Sequence, residues 1–256
     1  MILLFSKVPG LAQVKTRLRI EPLNNDSVTR LAVAFLADTL ELISKLDCSS
    51  HLVLEPKITF SELEKQIAST ISDYKLPDLK DSKLLGQNGL SFGERLEQAI
   101  YETYKSNPSH ILVIGSDCPL LSEREMNSAL ELLKDNKSVL GPTPNGGLYL
   151  IGLSKEALEQ GFSVKELFTE DSALELESFA NSLKDKNLPY LLLRTLPDVD
   201  VAEDLIGLKT ILDSSNASLN KELPTVAPTT RKVLTSLKLS IKRDKEDSRG
   251  FKLLTS

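Results

Sequence analysis

The chain contains no tryptophan, and only two histidines, two cysteines and two methionines in 256 residues. Two cysteines, Cys48 and Cys118, cannot build a disulfide framework. With His51 and His110 they form no cluster of zinc-binding spacing. Each histidine opens an apolar run and reads as a strand-edge residue. No apolar stretch reaches membrane-spanning length, so no membrane span is expected. The run Ile2–Phe5 has neither a basic leader nor a small-residue cleavage site, and is expected to be a first strand. Excess positive charge is also missing. The net charge is −5; residues 1–220 carry 22 Lys/Arg against 32 Asp/Glu, and only residues 221–256 are basic, with 9 against 4. An acidic body lacks the cationic footprint that a phosphate backbone requires, which excludes nucleic acid as the main partner. A cytoplasmic location is expected, and the oligomeric state is left open.

What is present is a regular alternation of segments. The apolar share, 41%, suffices for a large core. Ile2–Ser6, His51–Glu55, His110–Gly115, Ser138–Gly141, Leu148–Leu153 and Tyr190–Arg194 read as strands. Ser27–Leu46, Phe60–Ile71, Phe92–Tyr104, Glu123–Lys134, Ser172–Leu183 and Val201–Leu212 read as helices. Such alternation predicts an α/β fold with a mostly parallel sheet between helices. The strands flanking Pro142–Gly147 suggest a hairpin, hence a mixed sheet. After Leu212 a Ser/Asn-rich stretch marks a boundary. Residues 1–212 are expected to form the main domain, and 213–256 a basic tail, in which a basic helix over Arg231–Ile241 is one option.

Five segments can carry chemistry. Ile111–Ile114 is a buried-strand pattern that ends in Gly115-Ser116-Asp117 and is closed by Pro119. It sets a carboxylate at the carboxyl end of a strand, where open α/β sheets bind ligands. Asp117 there can hold a divalent cation against a phosphate, or merely cap the next helix. The loop Lys7–Leu18 carries Lys7, Lys15 and Arg17 beside a Pro-Gly turn, a combination suited to phosphate oxygens, although the Walker order is absent. Gly86–Arg95 opens a helix, with Ser91 and Glu94 at capping-box spacing and three glycines that can approach a phosphate. Gly141–Tyr149 contains Gly146 and Gly147, which permit positive φ beside a ligand or serve a plain turn. Asp198-Val199-Asp200 follows a strand, and either carboxylate can cap a helix or join Asp117 at a cation.

These segments, in this order, resemble the bacterial DUF2064 family, also labelled rSAM/selenodomain-associated transferase 1. The resemblance rests on Phe5, Lys7, Pro9 and Val14–Leu18; Gly93–Arg95; Gly115, Asp117 and Pro119; Gly141, Pro142, Gly146, Gly147 and Tyr149–Leu153; and Asp198–Asp200 with Asp204 and Leu205. It spans roughly residues 1–212. It implies a three-layer α/β/α fold of the GT-A, nucleotide-diphospho-sugar transferase type, and a metal-dependent transferase using a nucleotide-activated donor and a small-molecule acceptor. Glycosyl transfer leads; nucleotidyl transfer from a nucleoside triphosphate to a phosphorylated metabolite, as in the related guanylyltransferases and molybdopterin-type enzymes, is the same-fold rival. The resemblance places Mg²⁺ or Mn²⁺ at Asp117 and Asp200. It places the nucleotide at Lys7, Lys15, Arg17, Gly86, Gly89, Gly93, Arg95, Gly115 and Ser116, catalysis at Asp117 and Asn145, and the acceptor at Gly146 and Gly147.

Three departures stand out. The family's loop glycine falls at Ala12, its acid before Gly-Gly falls at Asn145, and its Trp-Ser-Thr-like segment is missing from Phe162–Ala173. Asn accepts a hydrogen bond but carries no charge and cannot act as a base at neutral pH. These departures keep a third option open, a silent relative that binds a nucleotide or a partner.

Overall fold

The computed structural model describes residues 1–19, 22–168, 174–215, 225–243 and 251–255. A seven-stranded sheet is formed by β1 (Ile2–Lys7), β2 (Ser50–Glu55), β3 (Lys83–Gly86), β4 (Ile111–Ile114), β5 (Ser138–Pro142), β6 (Leu148–Leu153) and β7 (Tyr190–Leu192), in the order β3-β2-β1-β4-β6-β5-β7. Only β6 runs antiparallel to its neighbours β4 and β5. β1 therefore pairs on one side with the strand that follows it and on the other with β4, which makes β1/β4 the point where the strand order reverses. The carboxyl ends of β1, β4, β5 and β7 all reach one edge of the sheet, so the loops bearing the sequence motifs converge there.

The continuous apolar runs follow from burial on both faces. In β1, Ile2 and Leu4 enter one core cluster and Leu3 and Phe5 the other. The first face carries α1 (Asn25–Ser44), α2 (Phe60–Ala68), α4 (Glu123–Lys134), α7 (Ala202–Asp213) and α8 (Pro228–Ser236). The second carries α3 (Phe92–Ser106), α5 (Lys155–Glu159) and α6 (Glu175–Asp185). The three-layer expectation thus holds.

Local signals set the helix starts. Thr59, Ser91 and Ser122 each form a capping box with a Glu three residues on, satisfying orphan N–H groups. Several features differ from the sequence reading, the unanticipated α5 among them. The short β3 was not anticipated; it is an edge strand, exposed or half-buried throughout, and its four residues show no alternation. Helix α6 begins at Glu175; the expected start at Ser172–Ala173 lies outside the described residues. In the basic C-terminal segment the helix runs Pro228–Ser236, not Arg231–Ile241. Pro228 supplies the fixed φ of a first helical turn, and the Asp38 carboxylate accepts from the N–H groups of Thr229 and Thr230 at 2.9 and 2.8 Å. Lys238, at φ +48°, ends the run, and β8 (Leu239–Arg243) pairs with β9 (Phe251–Thr255). Val233 and Leu234 of α8 are buried in the same cluster as α1. Among the described residues no helix is long and apolar enough to cross a membrane.

Candidate functional site

The converging loops enclose a cleft of about 620 Å³ at the β1/β4 reversal, lined by Lys7, Lys15, Arg17, Gln87, Arg95, Ser116, Asp117 and Asp200 among others. Two bonds hold its sides together. Ser6 Oγ and Ser116 Oγ lie 3.1 Å apart across β1 and β4, and the Val199 N–H donates to the Asp117 carbonyl at 2.9 Å. The second bond lays the segment after β7 alongside the segment after β4, so residues 83 positions apart in sequence, Asp117 and Asp200, share one site.

Neither aspartate caps a helix. Ser122 caps α4. At α7 the Asp204 carboxylate accepts from the N–H groups of Asp200 and Val201, both at 2.8 Å. The Asp117 and Asp200 side chains instead converge on Lys15, whose Nζ lies 2.8 Å from Asp117 Oδ2 and 2.7 Å from Asp200 Oδ1. The Lys15 side chain is only 7% exposed, whereas those of Asp117 and Asp200 are 53% and 41% exposed. Burial alone would lower the ammonium's pKa; the two carboxylates outweigh it and hold the pKa above its ordinary value. Lys15 has φ +49°, the left-handed conformation uncommon outside glycine, just before the short 3₁₀ turn Thr16–Leu18. Leu18 is fully buried and pins that turn.

The other cations of the cleft are less engaged. Lys7 and Arg17 are exposed. The Arg95 Nε is buried without a hydrogen-bond partner among the described residues. Gln87, which the sequence reading passed over, donates through Nε2 to the carbonyls of Ser6 at 3.0 Å and Val53 at 3.2 Å. Both partners can only accept, so the amide orientation is fixed and Oε1 remains an acceptor at the cleft wall. The signal was its place directly after Gly86, at the carboxyl end of β3.

The glycines divide by cause. At Gly89 (φ +134°) a Cβ would lie 2.8 Å from the Arg95 backbone nitrogen, and at Gly93 2.1 Å from the Lys165 carbonyl oxygen. Both are required by packing at the start of α3. Gly86 is flanked by Lys57, and a Cβ on Gly115 would meet the Asp117 backbone nitrogen at 3.9 Å, an ordinary contact. Ala12 is not among the residues of positive φ, and its N–H donates to the Val8 carbonyl at 2.9 Å, so alanine costs the loop nothing there; Gly10, at φ +86°, takes the turn.

Beyond Asp117 the character changes. A smaller pocket of about 190 Å³ adjoins the cleft, walled by Phe5, Phe92, Tyr149 and Phe168, with Asp117 and Asp198 at its polar end. Phe92 stacks edge-on against Phe5 and Phe168, with centroids 5.4 and 4.8 Å apart. Asp198 has no ion pair among the described residues; burial, then the charge of Asp200, pushes its pKa up to about 6. Glu175, absent from the sequence reading, is pushed up to about 7 by burial and then by Asp198, despite a hydrogen bond from the Leu148 N–H. It stands beside the turn that holds Asn145: a Cβ on Gly147 would meet Glu175 Oε2 at 3.6 Å, and the Leu176 N–H donates to the Gly146 carbonyl at 2.9 Å. Asn145 Oδ1 accepts from the Gly147 N–H at 3.2 Å and from the Thr143 hydroxyl. The structure thus brings Lys7, Lys15, Arg17, Arg95, Ser116, Asp117 and Asp200 to one cleft. Gly86, Gly89, Gly93, Gly115, Asn145, Gly146 and Gly147 do not line it.

Among the described residues no group of three or more His, Cys, Asp or Glu side chains is placed to hold a metal ion. Two carboxylates converging on one cationic nitrogen do fit Mg²⁺ or Mn²⁺ of the kind that completes its shell with phosphate and water.

No curated protein matches the sequence. Among solved structures, a protein from Desulfovibrio desulfuricans G20, provisionally named a nucleotide-diphospho-sugar transferase, superposes with a TM-score of 0.70 at 24% identity, covering 92% of this chain and 93% of that one. A cytidylyltransferase from Leptospira borgpetersenii scores 0.47 at 13% identity, over 92% and 93% of the two chains. Rv0371c from Mycobacterium tuberculosis H37Rv, in complex with manganese, scores 0.43 at 12%, over 81% and 96%. At these scores the last two do not bear on what this chain does. The first shows the fold, which is of the nucleotide-diphospho-sugar transferase, GT-A-like type. A family model described as "Uncharacterized protein conserved in bacteria (DUF2064)" matches residues 39–169, and the chain belongs to that family.

Proposed function

We propose that this protein is a metal-dependent transferase acting on a nucleotide-activated donor, with glycosyl transfer the leading reaction. The observation that carries the reading is the convergence of Asp117, Asp200 and Lys15, within a cleft lined by further cations at the strand-order reversal. In this reading Asp117 and Asp200 hold Mg²⁺ or Mn²⁺, which supplies neutralising charge for a diphosphate leaving group. Lys7, Arg17 and Arg95 bind phosphate oxygens; Arg95 brings a buried Nε–H with no partner of its own. Gln87 Oε1 accepts from a donor on the nucleobase. The acceptor enters from the aromatic pocket beyond Asp117, which Asp198 lines and whose Leu148 follows directly on the Asn145–Gly147 turn.

The same cleft suits nucleotidyl transfer, in which a nucleoside triphosphate loses pyrophosphate to a phosphorylated acceptor. Pyrophosphate release separates the two reactions. The test of the common reading is a thermal-shift screen of nucleotides and nucleotide sugars with Mg²⁺ or Mn²⁺, since a ligand that binds only the native state raises its apparent stability. A metal-dependent shift with a nucleoside diphosphate or nucleotide sugar is expected. No shift with any of them sinks the reading.

A further inference from the structure

The cleft poses a conflict of charge. Lys15 is suited to hold phosphate, and Asp117 and Asp200 are suited to hold a divalent cation. Yet the Lys15 ammonium lies between the two carboxylates, 2.8 Å from one and 2.7 Å from the other. A dication at that point and an ammonium at that point exclude each other, sterically and by like charge. We propose that Lys15 is a tethered counter-ion that keeps the cation place filled until metal enters, so that metal binding and Lys15 departure are one exchange. The displaced ammonium then becomes a phosphate ligand. This inference rests on the reading of Asp117 and Asp200 as the cation's ligands and deepens it to the order and coupling of binding.

The structure supports an exchange rather than a fixed ion pair in three ways. The carboxylates are half-exposed to the cleft, so each has oxygen surface open to an incoming ion, while the ammonium is the buried member. The Lys15 backbone is anchored by the 3₁₀ turn and by buried Leu18, whereas its ammonium sits at the end of a four-carbon stem with several rotatable bonds, so the charge can move by a change of side-chain rotamer while the loop stays. It moves within the cleft it already lines, away from the two carboxylates and toward Lys7, Arg17 and Arg95. A fourth cation there is repelled unless an anion is present. A diphosphate supplies that anion, so metal and diphosphate should each raise the other's affinity.

The test uses Mn²⁺ alone, with no nucleotide and no turnover. Free Mn²⁺ is counted by electron paramagnetic resonance during titration of the wild type, Lys15→Met and Lys15→Ala. Removal of the competitor should tighten Mn²⁺ binding by about tenfold, within the roughly 5- to 150-fold range of ordinary coupling between sites. Equal or weaker binding overturns the exchange. Adding Asp117→Asn or Asp200→Asn to Lys15→Met should abolish the tight binding. Mn²⁺ binding that survives both substitutions sinks the cation-site reading itself, and with it the exchange. A titration in which these substitutions abolish binding but Lys15→Met is no tighter than wild type sinks the exchange alone.

A wild-type measurement covers the case of a poorly folded variant. Acetylation of Lys15 by acetic anhydride, read by mass spectrometry, should be slow without metal and fast with saturating Mn²⁺. Adding inorganic pyrophosphate should slow it again. Slow acetylation at saturating Mn²⁺ means the ammonium has not left, and overturns the proposal. Fast acetylation that pyrophosphate does not suppress overturns its second half.

Discussion

Asp117 divides the site into two unlike halves. Toward β1 each carboxylate is matched by a cation: Lys15 lies between Asp117 and Asp200, and three further cations line the cleft. Toward β6 the carboxylates are not matched. Asp198 and Glu175 are partly buried with no ion pair among the described residues, and burial pushes their carboxyl groups above the ordinary range, up to about 6 and about 7. Their neighbours are aromatic rings and one turn. In the proposed reading, matched charge suits the half that holds a multiply charged donor. In the same reading, unmatched, desolvated acids suit the half where a neutral acceptor would enter and give up a proton. The contrast can be broken by charge deletion on either side, with different signatures.

The largest effect is expected on the matched side. Replacing Lys15 and Arg17 together with Ala should weaken a nucleoside diphosphate far more than the bare nucleoside, because each charge-assisted hydrogen bond contributes about 1.5–3 kcal/mol. Calorimetric titration with both ligands decides it; equal losses would mean damage to the fold or contact with the base. Next comes Asp117→Asn, which should reduce Mg²⁺-dependent nucleotide affinity by about 2–3 kcal/mol. It should leave the melting temperature nearly unchanged, because the side chain is half-exposed and Lys15 retains Asp200. Metal-dependent binding that matches wild type would remove Asp117 from the site.

The two halves were unequally legible in the sequence. Asp117 could be read as a candidate because it stands just past an abrupt strand end, and Lys15 and Asp200 because they lie in the charged loops that follow strands; both kinds of signal are short-range pattern. That they meet at one nitrogen was not readable, since it depends on the Val199–Asp117 backbone bond and on β7 joining the sheet beside β5. Glu175 carries no local mark. It is one acid on an ordinary amphipathic helix, and only the β5–β6 turn packed against it gives it an environment. The glycines at 89 and 93 suggested a ligand, but backbone contacts explain them. The outer helix α8 did leave a trace elsewhere: in α1 every residue from Leu31 to Ala37 is buried, and a helix apolar all round must be covered on its outer face.

On the unmatched side the expected effect is smaller and lies in pH. Burial first, then the charge of Asp198, favours the protonated form of Glu175 in the fold, so its folded pKa of about 7 lies above the ordinary 4.5. The stability this contributes is complete below about pH 4.5 and is lost as pH rises through about 7. Glu175→Gln stays neutral throughout. It should match wild type near pH 4.5 and exceed it by about 2 kcal/mol at pH 8, allowing for partial solvent screening. Asp198 and Asp200 face the same group. Asp198 shifts in the same direction, so the variant keeps part of the wild-type slope. Denaturant unfolding at the two pH values measures the difference; an unchanged difference would leave Glu175 solvated and the contrast between the halves overstated.

The smallest expected effect on the fold, and the sharpest question about chemistry, belongs to Asn145. Its Oδ1 already accepts from Gly147 and Thr143, and a carboxylate accepts from both equally well. Asn145→Asp is nearly isosteric, so the turn should survive. What changes is charge: a second acid would stand beside Glu175, raising its pKa further and costing less than about 1 kcal/mol of stability above neutrality. Position 145 does not line the cleft that would hold the donor, so donor affinity should stay within about twofold. If the acceptor's proton leaves on this side, a carboxylate at 145 supplies a base that Asn cannot, and turnover with a hydroxyl acceptor should rise. Steady-state kinetics on both forms, beside donor titrations, separate the outcomes. Unchanged turnover with unchanged donor affinity would show that proton removal does not run through this turn, and would leave Glu175 and Asp198 as the bases available on the unmatched half.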